Sequence, residues 1–132
     1  MNADGNKQDI NKVAIGGLTN SSYLDKVASA TENETNSAIS ITGETDRVYT
    51  TAAEVPIVVS EDGKKVFEIT RDNLENVVVW NPWTEKAKSM GDFEPKDGYK
   101  QMICIEAGQV GGWQKLEAGD TFEGGQFIKS LL

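Results

Sequence analysis

Short runs of β-branched and aromatic residues, each closed by Gly, Asn, Asp or Ser, recur from Lys12 to the last residue, and this rhythm constrains the fold more than any other feature. Side chains on a strand alternate between two faces, so short runs of this kind bury apolar surface only by pairing into sheets that stack. The clearest unit is a hairpin: Ile57-Val58-Val59-Ser60, a turn at Glu61-Asp62-Gly63-Lys64, and a second arm over 65–70. In that arm Phe67 and Ile69 share one face, while Val66, Glu68 and Thr70 share the other. Further strands are predicted over 12–18, 23–27, 39–42, 48–51, 77–80, 99–106, 113–116 and 121–132, with 29–37 as an exposed loop. Pro82 sets up a turn, and 84–90 is the best helical candidate. About eight or nine short strands at this spacing predict an all-β fold, an antiparallel β-sandwich. No linker or repeat interrupts the pattern, so residues 1–132 are expected to form one domain, and 38% hydrophobic content suffices for its core.

Charge narrows the partners. A net charge of -8 repels phosphodiester backbones on average, which argues against nucleic acid. No stretch approaches the roughly 18 apolar residues of a membrane span, and the opening MNADGNKQD lacks an apolar signal core. A single cysteine, Cys104, forms no internal disulfide; with the missing signal core it fits a cytoplasmic protein. There is no histidine, so the commonest acid/base and metal ligand are both absent. Nothing has metal-ligand spacing, and the Gly16-Gly17 and Gly111-Gly112 pairs lack the context of a phosphate or dinucleotide loop, so no cofactor is expected.

Chemistry must then rest on carboxylates. In the run 100–106, Met102, Cys104 and Glu106 share a face opposite Ile103 and Ile105, so Glu106 has apolar neighbours that would desolvate it and favour its neutral form. The alternative is a strand-end Glu in water or bonded to backbone amides. Asp46 and Arg47 adjoin at a strand-loop junction, where a carboxylate accepts paired hydrogen bonds from vicinal sugar hydroxyls or caps its own turn. Trp80-Asn81-Pro82-Trp83 offers an aromatic wall for a sugar ring; Trp80, inside a valine run, reads as core and Trp83 as the better wall. Lys86 and Lys88 would meet a phosphate or form a solvated face.

Six segments in order, Asp9-Ile10 with Lys12-Val13, Gly17-Leu18, Tyr23-Leu24-Asp25-Lys26, Glu44-Thr45-Asp46-Arg47-Val48-Tyr49, Val78-Val79-Trp80-Asn81-Pro82-Trp83 and Cys104-Ile105-Glu106-Ala107-Gly108, resemble the hexose-6-phosphate mutarotases (glucose-6-phosphate 1-epimerases) of the aldose 1-epimerase-like superfamily. The resemblance runs from about residue 9 to the end and matches the C-terminal part of that group. It implies a galactose mutarotase-like supersandwich, present in part, whose concave face binds a hexose 6-phosphate. It also implies that Glu106 takes the proton of the anomeric hydroxyl and that Asp46 holds sugar hydroxyls, with Arg47 and Trp83 beside them.

Mutarotation opens the hemiacetal ring and recloses it on the other face, so one group takes the hydroxyl proton and another protonates the ring oxygen. In the family the second carrier is a histidine in a Leu-His-(Ser/Thr)-Tyr-Phe segment; the matching position falls near Asn2. The upstream part that carries the phosphate-holding arginines also has no match. The reading therefore expects impaired catalysis, and exposed sheet edges that favour self-association. Its rivals are a sugar- or protein-binding module without turnover, and an inert remnant.

Overall fold

The structure, a computed structural model, describes residues 8–132; the position near Asn2 lies outside them. Among the described residues ten strands form two five-stranded antiparallel sheets. They are β1 (Val13–Gly16), β2 (Ser22–Asp25), β3 (Ala30–Asn33), β4 (Ala38–Ser40), β5 (Thr45–Thr50), β6 (Ile57–Glu61), β7 (Lys64–Asp72), β8 (Asn76–Asn81), β9 (Cys104–Gly108) and β10 (Gly125–Ser130). One sheet runs β10-β7-β6-β1-β4 and the other β3-β2-β5-β8-β9. The helix α1 (Trp83–Ser89) follows β8, and 3-10 turns cover Ile10–Lys12 and Gly98–Gln101. The antiparallel sandwich expected from the sequence is the fold observed.

Alternation explains what lies between the sheets. Val13 and Ile15 of β1, Ile39 of β4, Ile57 and Val59 of β6 and Ile69 of β7 face Tyr49 of β5 and Val77 and Val79 of β8, and all are buried in one cluster. The hairpin forms with Asp62 and Gly63 as its two turn residues, both at positive φ (52° and 76°), which matches the right-handed twist of the arms. A bulge changes one expectation. Val59 pairs with Phe67 but Ser60 pairs with Lys65, so Val66 is the extra residue and turns inward, buried, instead of sharing an outer face with Glu68.

Other differences have local causes. The expected loop over 29–37 contains β3, an edge strand of one alanine and three polar residues, which no apolar pattern could announce. Beyond Gly108 the expected strand over 113–116 is absent, and Trp113 is exposed. The run 99–106 begins as a 3-10 turn because the buried Asn81 amide takes the Tyr99 and Met102 carbonyls, at 2.9 Å each, out of any ladder. The same side chain accepts the Trp83 N–H at 2.9 Å and steadies that residue at φ 55°, a left-handed conformation unusual for a bulky side chain. Among the described residues no helix is long and apolar enough to cross a membrane.

Gly17 has φ 96°, and a Cβ there would stand 2.1 Å from the Pro56 carbonyl oxygen. Gly17→Ala is expected to cost about 2 kcal/mol or more in urea unfolding. Gly63→Asn, at positive φ but with open space around it, should change stability by less than about 1 kcal/mol.

Candidate functional site

Strand register builds the site. Asp46 pairs with Trp80, and Trp80 pairs with Cys104. One step along the same face, Leu24 pairs with Val48, Val48 with Val78 and Val78 with Glu106. Asp46, Trp80, Val78, Cys104 and Glu106 therefore stand on one face of the β2-β5-β8-β9 sheet, opposite the buried Tyr49, Val77, Val79 and Asn81. Two strand spacings of about 4.8 Å across and two residues along place the Asp46 and Glu106 Cα atoms about 12 Å apart, with Val78 and Trp80 between them. Two carboxylates flank an apolar, partly aromatic floor.

The surroundings of each carboxylate differ. Asp46 accepts an ion pair from Lys26 Nζ at 3.1 Å, and the Lys26 N–H donates to the Asp46 carbonyl at 2.9 Å, so both ends of the lysine hold β5 at this point. Glu106 is exposed on the edge strand β9, so the dry setting expected from Met102 and Cys104 is not what surrounds it. Met102 precedes β9, with its sulfur 3.6 Å from the Asn81 amide, which leaves Cys104 as the apolar neighbour on the face. Burial, and then the nearby Glu106 carboxylate, push the Cys104 thiol up. A thiol raised in this way holds its proton more firmly and is a weaker nucleophile.

Arg47 and Trp83 are not brought to this face. Asp46 and Arg47 lie inside β5, not at its junction with a loop, so adjacency sends them to opposite sides. Arg47 turns inward, 3.6 Å from Asp25, 3.9 Å from the buried Glu34 and 5.0 Å above the Tyr23 ring. Its Nη1 donates to the Tyr49 hydroxyl at 3.3 Å, which in turn donates to Glu34 at 2.9 Å. Trp83 packs against the core cluster and tilts over Tyr99 at a centroid distance of 5.3 Å. The indole on the carboxylate face is Trp80. Alternation within Val77-Val78-Val79-Trp80 carried that signal, but a continuous apolar run hid which side was open. Lys26 was visible only as a weak piece of a motif. Lys88 pairs with Glu85 at 2.9 Å on the exposed side of α1, a pair of the kind that contributes little.

Comparison with known proteins identifies the family and the fold. A family model described as aldose 1-epimerase matches residues 2–129. The chain belongs to the aldose 1-epimerase family. It is 37% identical over 117 residues to a Cenchrus ciliaris protein named "putative glucose-6-phosphate 1-epimerase", covering 88% of this chain and 35% of that protein. An Escherichia coli protein of the same name is 35% identical, covering 84% of this chain and 37% of its own length. The crystal structure of "a putative mutarotase" from Salmonella typhimurium superposes with a TM-score of 0.67 at 31% identity, covering 77% of this chain and 34% of that one. The crystal structure of a protein designated HI1317 shares the fold at a TM-score of 0.70 and 21% identity, covering 94% of this chain and 43% of its own. This aldose 1-epimerase family chain thus spans a little over a third of the length of the relatives it matches.

The layer beneath the face makes a prediction about acid stability. Burial raises the Glu34 carboxyl, but hydrogen bonds from the Asn36 backbone and side chain and from Tyr49, with the Arg47 charge, outweigh it and hold the group below its ordinary 4.5. A lowered carboxyl stabilises the fold above its unfolded pKa and loses that contribution as pH falls through the folded one. Urea unfolding between pH 7 and 3 should therefore show stability falling below about pH 4.5, and Glu34→Gln should be less stable at pH 7 yet flatter in that window.

Proposed function

We propose that the face bearing Asp46, Trp80 and Glu106 handles the sugar in the interconversion of α and β anomers of a hexose 6-phosphate. The observation that carries this reading is the placement of two carboxylates on one sheet face, about 12 Å apart, across a floor of Val78 and Trp80. Family membership supports the class of reaction, and the names of the relatives support the phosphorylated substrate.

Each residue has a role that its chemistry fits. Glu106, open to solvent on β9, takes the proton of the anomeric hydroxyl while the ring C–O bond breaks. Asp46 accepts hydrogen bonds from vicinal hydroxyls at the far side of the ring. Lys26 limits where the Asp46 carboxylate points. The Trp80 indole gives the sugar's C–H face an apolar surface. The ring oxygen needs a proton from a second carrier, and with no histidine in the chain that carrier is another kind of group or water.

That gap favours a second reading, in which the face binds a hexose phosphate and does not turn it over. Anomer exchange of α-glucose 6-phosphate by polarimetry, with binding followed by NMR titration, separates the two. Under the first reading exchange is accelerated, Glu106→Gln lowers the rate about 10²- to 10⁴-fold with little change in binding, and Asp46→Asn weakens binding roughly tenfold or more. Acceleration that Glu106→Gln leaves untouched would rule out the assigned base. Saturable binding without acceleration would establish the second reading.

A further inference from the structure

A buried amide stands on the otherwise open face of the β2-β5-β8-β9 sheet. Asn76 alternates with Val78 and Trp80 along β8, so it points to the side that carries Asp46 and Glu106, yet it is only 3% exposed. The segment directly after β9 covers it: the Val110 and Gly111 N–H groups donate to Asn76 Oδ1 at 2.9 and 2.8 Å. Its Nδ2 donates to Thr50 Oγ1 at 3.2 Å and to the Tyr49 carbonyl at 3.4 Å, so the same amide grips β5. Two N–H donors demand an acceptor, which fixes the orientation of the amide and leaves both its ends engaged.

Glycine lets the chain lie this close. A Cβ on Gly111 would stand 2.7 Å from Asn76 Nδ2, so no side chain fits there. A Cβ on Gly108, the partner of Asn76 in the ladder, would meet Val110 Cγ1 at 3.2 Å. Gly108 follows Glu106 by two residues on β9 and shares its face, so Val110 lies over Gly108 on the outer surface. Two residues of strand put it about 7 Å beyond Glu106, on the side away from the row of Asp46, Trp80 and Cys104. With its base packed on Gly108 and 58% of it exposed, Val110 stands as a wall across the end of the face.

We propose that the segment 109–112, clamped by Asn76, is the end wall of the sugar face, with Val110 as a specificity-determining residue and Asn76 as the residue that positions it. The inference rests on the roles given to Glu106 and Asp46 under the proposed function. With C1 at Glu106 and the vicinal hydroxyls at Asp46, one edge of the sugar ring faces the wall and the other faces Cys104. The walled edge has no room for a C6 phosphate, so C2 turns to Val110. A hydroxyl at C2 fits there, whereas an acetamido group meets the valine methyls. The face therefore takes hexose 6-phosphates with a small C2 substituent and rejects 2-acetamido sugars by a clash.

The test is an NMR titration of the 132-residue chain with glucose 6-phosphate and with N-acetylglucosamine 6-phosphate, with amide exchange followed at Val110 and Gly111. The expected result is that the first sugar binds roughly tenfold or more tighter than the second, with both amides protected. Val110→Ala, at a residue exposed enough for the fold to tolerate it, should bring the two affinities together. Asn76→Ala should do the same and free both amides. Asn76→Asp keeps an acceptor for them and should return protection and selection toward those of the parent chain. A merely structural asparagine would leave the ratio of the two affinities unmoved. Equal binding of the two sugars, or a ratio that Val110→Ala leaves unchanged, overturns the wall while the proposed function stands. Unprotected amides in the parent chain overturn Asn76 as the positioning residue. Failure of both sugars to bind overturns the proposed function, and the wall with it. Should Asn76→Ala not fold, the Val110→Ala ratio decides alone.

Discussion

The hydrogen-bonded register of β5, β8 and β9 is the constraint on which the rest of the structure depends. A slip of one residue in any of these ladders would turn Asp46 or Glu106 into the core and bring Arg47 or Ile105 out. The register is held from beneath. Tyr49, Val77 and Val79 are buried side by side in neighbouring strands, and each would be lifted into water by such a slip. The outer face is thus fixed by residues that never touch it.

The inner layer is not wholly apolar, and its polar members work as a unit. Arg47 joins Asp25 of β2, Tyr49 of its own strand and Glu34 just beyond β3, so two strands and a loop share one charged, hydrogen-bonded group. Each member satisfies another, which is the condition under which burial of such groups is tolerated. Asn76 and Asn81 do similar work at the two ends of β8: the first takes the Val110 and Gly111 N–H groups, and the second takes the carbonyls ahead of β9. Both asparagines thereby fix where β9 enters and leaves the sheet, and so where Glu106 stands.

The sandwich is asymmetric in its finish. At the β3 and β4 end, Glu34, Thr19 and Asn36 tie the loops together with backbone and side-chain hydrogen bonds. At the β9 and β10 end the sheets part over an apolar cleft. The candidate base stands on the edge strand at this open end. Position on an edge leaves Glu106 hydrated, whereas a carboxylate flanked by strands on both sides would be partly dried by them.

Periodicity in the sequence was enough for the all-β sandwich, the hairpin with its Asp62-Gly63 turn and the helix after Pro82, because alternation, turn chemistry and proline geometry act over neighbouring residues. The motif Glu44-Thr45-Asp46-Arg47-Val48-Tyr49 was equally legible, but not that it lies within one strand and so parts Asp46 from Arg47. The polar edge strand β3, the bulge that buries Val66 and the exchange of Trp83 for Trp80 on the outer face were decided by tertiary pairing. Which face of a strand is open depends on what stacks against it, and a run of four apolar residues does not encode that. The sequence by itself determined that Glu106 is a carboxylate on a short strand and Asp46 a carboxylate beside one. Only the pairing of β5 with β8 and β8 with β9 set them on one surface at a sugar's reach, because strand neighbours far apart in the chain are chosen by the packing of the whole core.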